Sequence, residues 1–396
     1  MSPWALRQLD TIETPSLVVD QNRLDRNIER MESRAKDLGV ALRPHLKTGK
    51  SIELAERIPS FHTTGGTVST MQEATAFGDQ TEKTLLYART PTASALSAIG
   101  MSQQTDFRLN RVLVAVDSIE HFEGVPPLAP GYQGRFRVLI EIDSGEHRSG
   151  LQPDDPDLPR LVRELTDKPD IRLEGVFTHG GHSYEAKSID TVRAIAEQER
   201  QAIVAAAEIF AEAGVDCPIR SVGSTPTVTH ATHYDGCTEV RAGVFVFQDL
   251  FQVGMGNCDR DDLALSVATR VIGRRARDHR LLIDAGGIAL SKDRSTRAFA
   301  NPDHQAAGDV GDCGYGLVCN AEGELLEGLQ VVEAWQEHGV VEARPGFELD
   351  IEDFPIGTML RILPNHACMT AAAHEAYNVL MPNGQIRARW KRENGW

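Results

Sequence analysis

The sequence predicts an α/β protein made of a (β/α)8 TIM barrel followed by a second, mostly β domain. Eight short apolar segments alternate with helical segments up to about residue 254, a pattern that favours a barrel over an open sheet. Polar and glycine residues collect directly after these segments, where the strands of such a barrel carry their functional groups. Beyond residue 254, short apolar segments follow one another without long helices, which indicates β structure.

Each element of the barrel has its own signal in the sequence. A helix is predicted over 22–38, because apolar residues recur there at helical spacing and Gly39 follows. A long alanine-rich helix is predicted over 188–213, ending before Gly214. The eight predicted strands are Val40–Lys47, Gly66–Thr70, Thr84–Arg89, Val112–Ser118, Phe136–Asp143, Leu173–His179, Ile219–Ser224 and Thr238–Phe247.

We therefore place the barrel at residues 21–254 and the β domain at residues 255–396, the latter together with an N-terminal strand in residues 1–20. That strand, Ser16–Asp20, is rich in β-branched residues and has no clear place in the barrel. A long loop is predicted over 293–312, where polar, glycine and proline residues are frequent. The predicted strands of the β domain are Ala264–Ile272, Arg280–Asp284, Glu327–Glu333, His338–Glu342, Thr358–Leu363 and Asn378–Leu380.

Composition excludes several classes of function. The formal charge of −16 and the pI near 5.3 argue against binding to nucleic acid or to anionic membranes, since there is no basic surplus to neutralise phosphates. No apolar segment approaches the length of a membrane span, and residues 1–10 contain no signal-peptide pattern. The six cysteines form no Cys-x-x-Cys pair. We expect a cytoplasmic protein with reduced thiols.

The end of the first predicted strand carries the strongest candidate for catalysis. A lysine there is costly unless it has a function, and burial of an amine makes it a nucleophile that can form a Schiff base. Arg43, His45 and Lys47 alternate, so one face of an extended strand would present all three. A basic strand end that faces solvent is the alternative interpretation.

Further candidates follow the later barrel strands. Gly223, Ser224 and Thr225 come after the seventh strand, where barrels of this kind often bind phosphate, although an ordinary turn has the same composition. His179 is a candidate to stack on a cofactor ring, and Tyr184 to reach a substrate carboxylate. Together with Lys47, these residues indicate a pyridoxal phosphate site.

Two arginines complete the candidate site in the barrel. Arg148 is a candidate donor to a ring oxygen, and Arg241 is a candidate partner for a ring nitrogen. Each also has an ion-pair interpretation. Arg148 could pair with Asp143 or Glu146, and Arg241 could pair with Glu239.

The β domain contains a candidate metal site at Asn365-His366-Ala367-Cys368. If the strand that precedes it continues, His366 and Cys368 point the same way and chelate one divalent metal ion. A thiolate ligand favours zinc, with manganese and magnesium as alternatives. The alternative interpretation is a buried cysteine beside a surface histidine, with no metal bound. The segment Gln336–Gly339 is a second polar cluster, either near the metal or only a turn.

These motifs together resemble those of the D-serine dehydratase and D-threonine aldolase family, which has an alanine-racemase-like fold of PLP fold type III. The similarity runs nearly end to end. Phe245 departs from the family pattern, because many members have tyrosine there, and this makes Arg241 the candidate for the contact to the ring nitrogen. The matching segments are Arg43–Thr48, Glu141–Arg148, Thr178–His179, Ser221–Thr227, Glu239–Gly243 and Pro364–Cys368.

The resemblance implies a homodimeric enzyme in which Lys47 carries pyridoxal phosphate, Gly223, Ser224 and Thr225 bind the phosphate, and His366 and Cys368 hold the metal. The expected reaction is β-elimination on a D-3-hydroxy amino acid such as D-threo-3-hydroxyaspartate or D-serine, giving a 2-oxo acid and ammonia. Aldol cleavage to glycine and an aldehyde is the nearest alternative. A non-catalytic pyridoxal phosphate carrier would resemble the barrel alone, so the long β domain argues against it.

Overall fold

The structure is a computed structural model that describes residues 7–105, 111–126, 135–301, 304 and 310–396. The strands in chain order are β1 (Arg7–Gln8), β2 (Ser16–Asp20), β3 (Ala41–Leu42), β4 (Gly65–Val68), β5 (Thr84–Tyr87), β6 (Val112–Val116), β7 (Phe136–Glu141), β8 (Ile171–Phe177), β9 (Ile219–Val222), β10 (Glu239–Val240), β11 (Leu265–Arg275), β12 (Arg280–Ile283), β13 (Leu317–Cys319), β14 (Leu325–Ala334), β15 (Gly339–Ala343), β16 (Met359–Leu363), β17 (Ala376–Leu380) and β18 (Gln385–Lys391). The helices are α1 (Gln21–Asp37), α2 (Ile52–Ala55), α3 (Pro59–Thr63), α4 (Met71–Gly78), α5 (Ala93–Thr105), α6 (Asp157–Thr166), α7 (Ile189–Glu212), α8 (Thr225–His230), α9 (Leu250–Gly254), α10 (Gly287–Leu290) and α11 (Ala367–Ala371).

The chain forms two compact units. One consists of Met1–Glu29, Lys187–Ile189 and Val244–Arg392, and it contains the antiparallel β structure. The other consists of Arg30–Ala186, Asp190–Gly243 and Glu393–Trp396, and it contains the alternating strands and helices. The predicted fold class, a (β/α)8 barrel plus a mostly β domain, is confirmed.

The α/β unit is an eight-stranded parallel barrel with the strand order β3-β10-β9-β8-β7-β6-β5-β4. A parallel bridge between His45 and Thr67 closes it, with Leu46 N donating to Thr67 O at 2.8 Å and Thr67 N to Pro44 O at 2.8 Å. Each of the eight strands begins within two residues of its predicted first residue. Strands β3 and β10, however, are much shorter than predicted. Strand β3 is short because the chain enters a turn after His45, and β10 is short because a 3-10 helix forms at Val244–Val246.

The helices of this unit bury one apolar face, as their sequence periodicity requires. In α6, the buried positions recur every three or four residues. Helix α7 buries alanine and larger apolar side chains along its length, and it also buries one carboxyl, Glu199. Helix α1 matches its predicted range to within one residue at each end. The buried residues of α6 are Leu158, Leu161, Val162 and Leu165.

The β unit contains a ten-stranded sheet with the order β1-β18-β17-β2-β11-β12-β15-β14-β13-β16. An additional pairing of β11 with β16 joins six of these strands, β11 to β16, into a closed barrel. Strand β2 lies antiparallel to β11 and parallel to β17. Strands β1, β13 and β18 were not among the predicted strands; β1 and β13 contain only two and three residues, and all three lie in segments without a long apolar run.

The predicted loop over 293–312 contains a 3-10 helix at Ser295–Ala300. Its residues 302–303 and 305–309 lie outside the described residues, as do residues 1–6 of the predicted N-terminal segment. Within the described ranges, every helix is too short or too polar to cross a membrane.

Candidate active site

Lys47 lies in a turn directly after the strand segment that closes the barrel. The turn covers residues 46–49, so the extended strand that would align Arg43, His45 and Lys47 on one face ends too early. Lys47 is also exposed, which contradicts the burial expected from the sequence. Its backbone N–H donates to His45 Nδ1 at 3.4 Å. Lys47 is therefore accessible to a reactive ligand, and its amine is not desolvated by burial.

Two histidines beside Lys47 are held neutral. Burial, together with the positive charges of Lys47 and Arg241, lowers the pKa of His179 to about 3. Burial also lowers the pKa of His45 well below its usual value, again with Lys47 and Arg241 contributing. His179 Nδ1 lies 3.0 Å from Gly223 O, a contact that fixes the ring and places the proton on Nδ1. A neutral, fixed imidazole in a cationic environment suits stacking against the ring of an anionic cofactor.

The segment Gly223–Thr225 lies at the end of β9, as predicted, and combines a strained glycine with two buried hydroxyls. Gly223 has φ +114°, and a Cβ there would meet Arg241 O and Val228 Cγ2 at 2.9 Å. The Ser224 hydroxyl lies 2.9 Å from Ser183 Oγ. The Thr225 hydroxyl accepts from Gly243 N at 3.3 Å, which leaves its proton available to an acceptor. Two buried hydroxyls at a glycine that allows close approach to the backbone fit a phosphate group.

Arg148 and Tyr184 lie on the loops that follow β7 and β8. The Arg148 side chain is 57% exposed and pairs with Glu146 at 3.1 Å, which is one of the two ion pairs anticipated for it. It is close enough to His179 to affect its titration. Tyr184 is half-buried in a 3-10 helix at Gly181–Glu185. An exposed arginine in a weak surface pair can exchange its carboxylate for a ligand oxygen at low cost.

Arg241 is buried, and its guanidinium hydrogen-bonds to Ser221 and Thr178 rather than to Glu239, the partner in its alternative interpretation. Its Nη1 donates to Ser221 Oγ at 2.8 Å, its Nη2 donates to Thr178 O at 2.5 Å, and its guanidinium lies over the Phe177 ring. Burial lowers the pKa of Arg241 to about 10. The residue ties the ends of β8 and β9 together as a fixed positive charge.

The partner of Glu239 is instead Arg43. Arg43 Nε donates to Glu239 Oε1 at 2.7 Å and Nη2 donates to Oε2 at 2.8 Å, with both side chains buried. The sequence pattern predicted that Arg43 lies with Lys47 on one face at the end of the first barrel strand. The position of Arg43, next to the apolar end of its strand, was a sign of burial. Its partner could not be seen in the sequence, because Glu239 lies on another strand.

His366 and Cys368 come together in the β unit, although not in the extended conformation expected from the sequence. His366 is the residue before helix α11, and Cys368 lies in the first turn of that helix. The extended arrangement is wrong because the chain turns into α11 at Ala367. The two side chains nevertheless hydrogen-bond to one another. An imidazole nitrogen beside a cysteine sulfur is a donor set that fits zinc or a similar soft divalent ion.

Two carboxylates that were not predicted support this pair, the buried Asp249 and the half-buried Asp293. His366 Nδ1 lies 3.0 Å from Asp293 Oδ2, and Asp249 Oδ2 accepts from Ala367 N at 2.9 Å. Burial opposes the charge of His366, but its hydrogen bonds to Asp293 and Cys368 outweigh burial and raise its pKa to about 11. Asp293 thus orients the ring, a role that carboxylates commonly have behind metal-binding histidines.

Among the described residues, no group of three or more His, Cys, Asp or Glu side chains is arranged to hold a metal ion, so His366 and Cys368 are a two-ligand set within that part of the chain. In the second polar cluster, Gln336–Gly339, residues 336–338 are an exposed connection between β14 and β15, and Gly339 is the buried first residue of β15. A two-ligand site leaves coordination positions for water and a substrate, as in catalytic metal centres.

Comparison with known proteins now identifies the family. The model for the N-terminal domain of alanine racemase matches residues 19–250, and the model for a putative serine dehydratase domain matches residues 264–380. D-threo-3-hydroxyaspartate dehydratase from Delftia sp. strain HT23 is 41% identical over 98% of both chains. The chain belongs to the D-serine dehydratase and 3-hydroxyaspartate dehydratase family. Membership in this family implies pyridoxal phosphate as the cofactor.

Other members of the dehydratase family and their structures agree with this assignment. D-serine dehydratase from Dictyostelium discoideum is 28% identical over 98% of both chains. The solved Delftia enzyme has a TM-score of 0.89 and covers 98% of this chain and 100% of its own. It has also been solved as a histidine-to-alanine variant and as a cysteine-to-alanine variant in the metal-free form. Alanine racemase from Clostridium difficile, at 16% identity, TM-score 0.66 and coverage of 95% and 98%, shows the shared fold.

Proposed function

We propose that this protein is a pyridoxal phosphate- and divalent metal-dependent dehydratase of a D-3-hydroxy amino acid, such as D-threo-3-hydroxyaspartate or D-serine. The hydroxyl leaves from Cβ as water, the Cα proton is lost, and hydrolysis of the resulting imine gives a 2-oxo acid and ammonia. The observation that carries this proposal is the His366–Cys368 pair, because a Lewis acid helps a hydroxyl to leave.

The barrel residues bind and orient the cofactor in this proposal. Pyridoxal phosphate supplies an electron sink for the charge that develops at Cα. The exposed Lys47 amine would hold the cofactor and would be the base that takes the Cα proton. His179 stacks on the ring as a neutral imidazole, which its low pKa supports.

The remaining barrel contacts divide between the phosphate and the ring. Gly223, Ser224 and Thr225 line the phosphate site, with the two hydroxyls as donors. Arg148 exchanges its exposed pairing with Glu146 for a ring oxygen, and Tyr184 orients the bound substrate. Arg241 is the candidate for the ring nitrogen and would keep that nitrogen unprotonated, so expulsion of the hydroxyl depends more strongly on the metal.

The metal ligands in this proposal are His366 and Cys368, and zinc is the ion that their nitrogen and sulfur donors favour. The solved Delftia enzyme supports this assignment, since a cysteine-to-alanine variant of that protein is in a metal-free form. Its substituted histidine and cysteine are separated by one residue, as are His366 and Cys368. We further propose a cytoplasmic homodimer, in line with the family resemblance and with six cysteines that form no disulfide in the structure.

The experiment is a product analysis. Zinc-loaded protein with pyridoxal phosphate is incubated separately with D-threo-3-hydroxyaspartate, D-serine and D-threonine, and ammonia and glycine are assayed side by side. We expect ammonia with a stoichiometric 2-oxo acid, and loss of that activity in protein treated with a chelator. Glycine with an aldehyde would identify an aldolase instead, and product formation independent of metal would contradict the role of His366 and Cys368.

A further inference from the structure

Glu199 is a fully buried carboxyl on helix α7, at the side of the barrel where the loops after β8 and β9 meet. Its Oε1 accepts two backbone hydrogen bonds, from Gly180 N at 2.5 Å and from Gly223 N at 3.0 Å. One oxygen atom therefore bridges two loops that are 43 residues apart in the chain, since 223 − 180 = 43.

The two bridged glycines are the immediate neighbours of candidate cofactor-binding residues. Gly180 follows His179, and Gly223 precedes Ser224. The bridge is reinforced by the contact of 3.0 Å between His179 Nδ1 and Gly223 O. Gly223 thus uses both its N–H and its C=O inside the protein, and the position of His179 relative to the Ser224 hydroxyl depends on Glu199.

The steric fit at the bridge is tight. A Cβ on Gly180 would lie 2.7 Å from Glu199 Cδ and 2.8 Å from Oε1. Gly223 has a left-handed backbone, at φ +114°, in which its N–H turns toward the carboxyl. Both loops have a glycine at the point where the carboxyl touches them, so the carboxyl and the two glycines form one unit.

A purely structural role does not account for the whole arrangement. Within the described part of the chain, Glu199 Oε2 and the hydroxyl of nearby Tyr234 are buried without a hydrogen bond of ordinary geometry, although the Thr227 hydroxyl lies near enough to both groups to lower their pKa values. Burying a carboxyl in this way costs stability, which a helix that needed only to pack would avoid by carrying an apolar residue. In return, Glu199 accepts hydrogen bonds from the Gly180 and Gly223 amides, which fix the loops that carry His179 and Ser224.

We propose that Glu199 is a positioning residue that sets the spacing between the cofactor-stacking His179 and the phosphate-binding Ser224. This inference rests on the proposed binding of pyridoxal phosphate in the barrel. It assigns to Glu199 a role as a hydrogen-bond acceptor, not as a charge, because both donors are neutral backbone amides bonded to the same oxygen.

The test compares Glu199→Gln, which keeps an oxygen acceptor, with Glu199→Leu, which removes it at similar size. Glu197→Gln is the matched control, since Glu197 lies on the same helix and pairs with Arg200 at the surface. Cofactor-free protein is titrated with pyridoxal phosphate, and amide exchange at Gly180 and Gly223 is followed by mass spectrometry without the cofactor.

We expect Glu199→Gln and Glu197→Gln to bind pyridoxal phosphate within about threefold of the unaltered protein. Glu199→Leu should bind about tenfold or more weakly and exchange both amides faster, because two hydrogen bonds to one buried acceptor are lost. If the leucine variant does not fold, Glu199→Asp, which withdraws the oxygen from both amides, should weaken binding in the same direction.

Two outcomes would overturn the inference. One is equal binding by Glu199→Leu, or by Glu199→Asp in its place, with unchanged protection of the two amides. The other is weak binding by Glu199→Gln, which would show that charge is required. Failure of the unaltered protein to bind pyridoxal phosphate would instead contradict the proposed function, and amide exchange would still decide whether Glu199 holds the two loops.

Discussion

Arg43 and Glu239 form a buried, bidentate ion pair between neighbouring strands β3 and β10, with N–O distances of 2.7 and 2.8 Å. Arg43 also donates to Thr84 O at 2.9 Å, so it links its own strand to a third one, β5. The burial of Glu239 opposes its charge, but Arg43 outweighs burial and lowers the pKa of Glu239. The strand that leads to Lys47 is therefore anchored at Arg43, one residue before the hydrogen bonds that close the barrel begin at Pro44.

Removing one member of this pair should destabilise the protein strongly. Arg43→Ala should lower the free energy of unfolding by about 3–5 kcal/mol, because it leaves the Glu239 carboxylate buried without its partner. Replacing both residues, with Arg43→Met and Glu239→Leu, should restore much of the loss. Urea unfolding measures the free energy of unfolding of Arg43→Ala, of Arg43→Met, of Glu239→Leu and of the double variant, and so checks this prediction. Additive losses in the double variant would show that the two residues do not act as a pair.

This ion pair shows where sequence reasoning reaches its limit. The sequence predicted the eight barrel strands, since each is a short apolar segment before a polar turn. As the ion-pair alternative for Arg241 it offered Glu239, two residues away, because spacing in the sequence reveals only neighbours along the chain. The actual partner, Arg43, is 196 positions away, and only the closure of the barrel brings it to Glu239.

The candidate site divides in the same way. The positions of Lys47, His179 and Gly223–Thr225 after their strands follow from the alternation of strands and helices, and the structure places them there. The pairing of His366 with Cys368 was expected from an extended chain, whereas a turn into α11 produces it. Asp293, Asp249 and Glu199 were missed because a carboxyl that acts through tertiary contacts has no local signature.

Asp293 should control the affinity of the metal site. In Asp293→Asn the hydrogen bond to His366 Nδ1 at 3.0 Å loses its charged acceptor, so the ring is less well oriented and less basic as a ligand. We expect zinc affinity to fall about 10–100-fold, measured by competition with a chromophoric chelator. Asp312→Asn is the control, because Asp312 pairs with Arg294 and should leave zinc affinity unchanged. Equal affinities for Asp293→Asn and the unaltered protein would remove Asp293 from the site.

Glu199 should make stability depend on pH in a defined direction. Burial raises the pKa of Glu199 from 4.5 to about 7. The folded state therefore favours the protonated carboxyl, a contribution that is complete below pH 4.5 and is lost as the pH rises through 7. Glu199→Gln stays uncharged, so its stability relative to the unaltered protein should rise across this window, by at most about 1.4 kcal/mol per pH unit.

Chemical unfolding of cofactor-free protein at several pH values between 4.5 and 8 measures this difference. Glu197→Gln serves as the control, because hydrogen bonds from Arg200 lower the pKa of Glu197 to about 2 and it stays charged throughout the window. A constant difference between Glu199→Gln and the unaltered protein would mean that Glu199 is already charged in the folded protein at pH 4.5.

The central claim is that Lys47 is the residue to which pyridoxal phosphate is attached. The most direct measurement is reduction of the cofactor-loaded protein with borohydride, followed by proteolysis and mass mapping of the labelled peptide. We predict that the label lies on Lys47, is absent in Lys47→Arg and persists in Lys50→Arg, because Lys50 is engaged in an ion pair with buried Glu73 at 2.8 Å. A label on Lys50 or on any other lysine, or a labelled Lys47→Arg protein, would contradict the account.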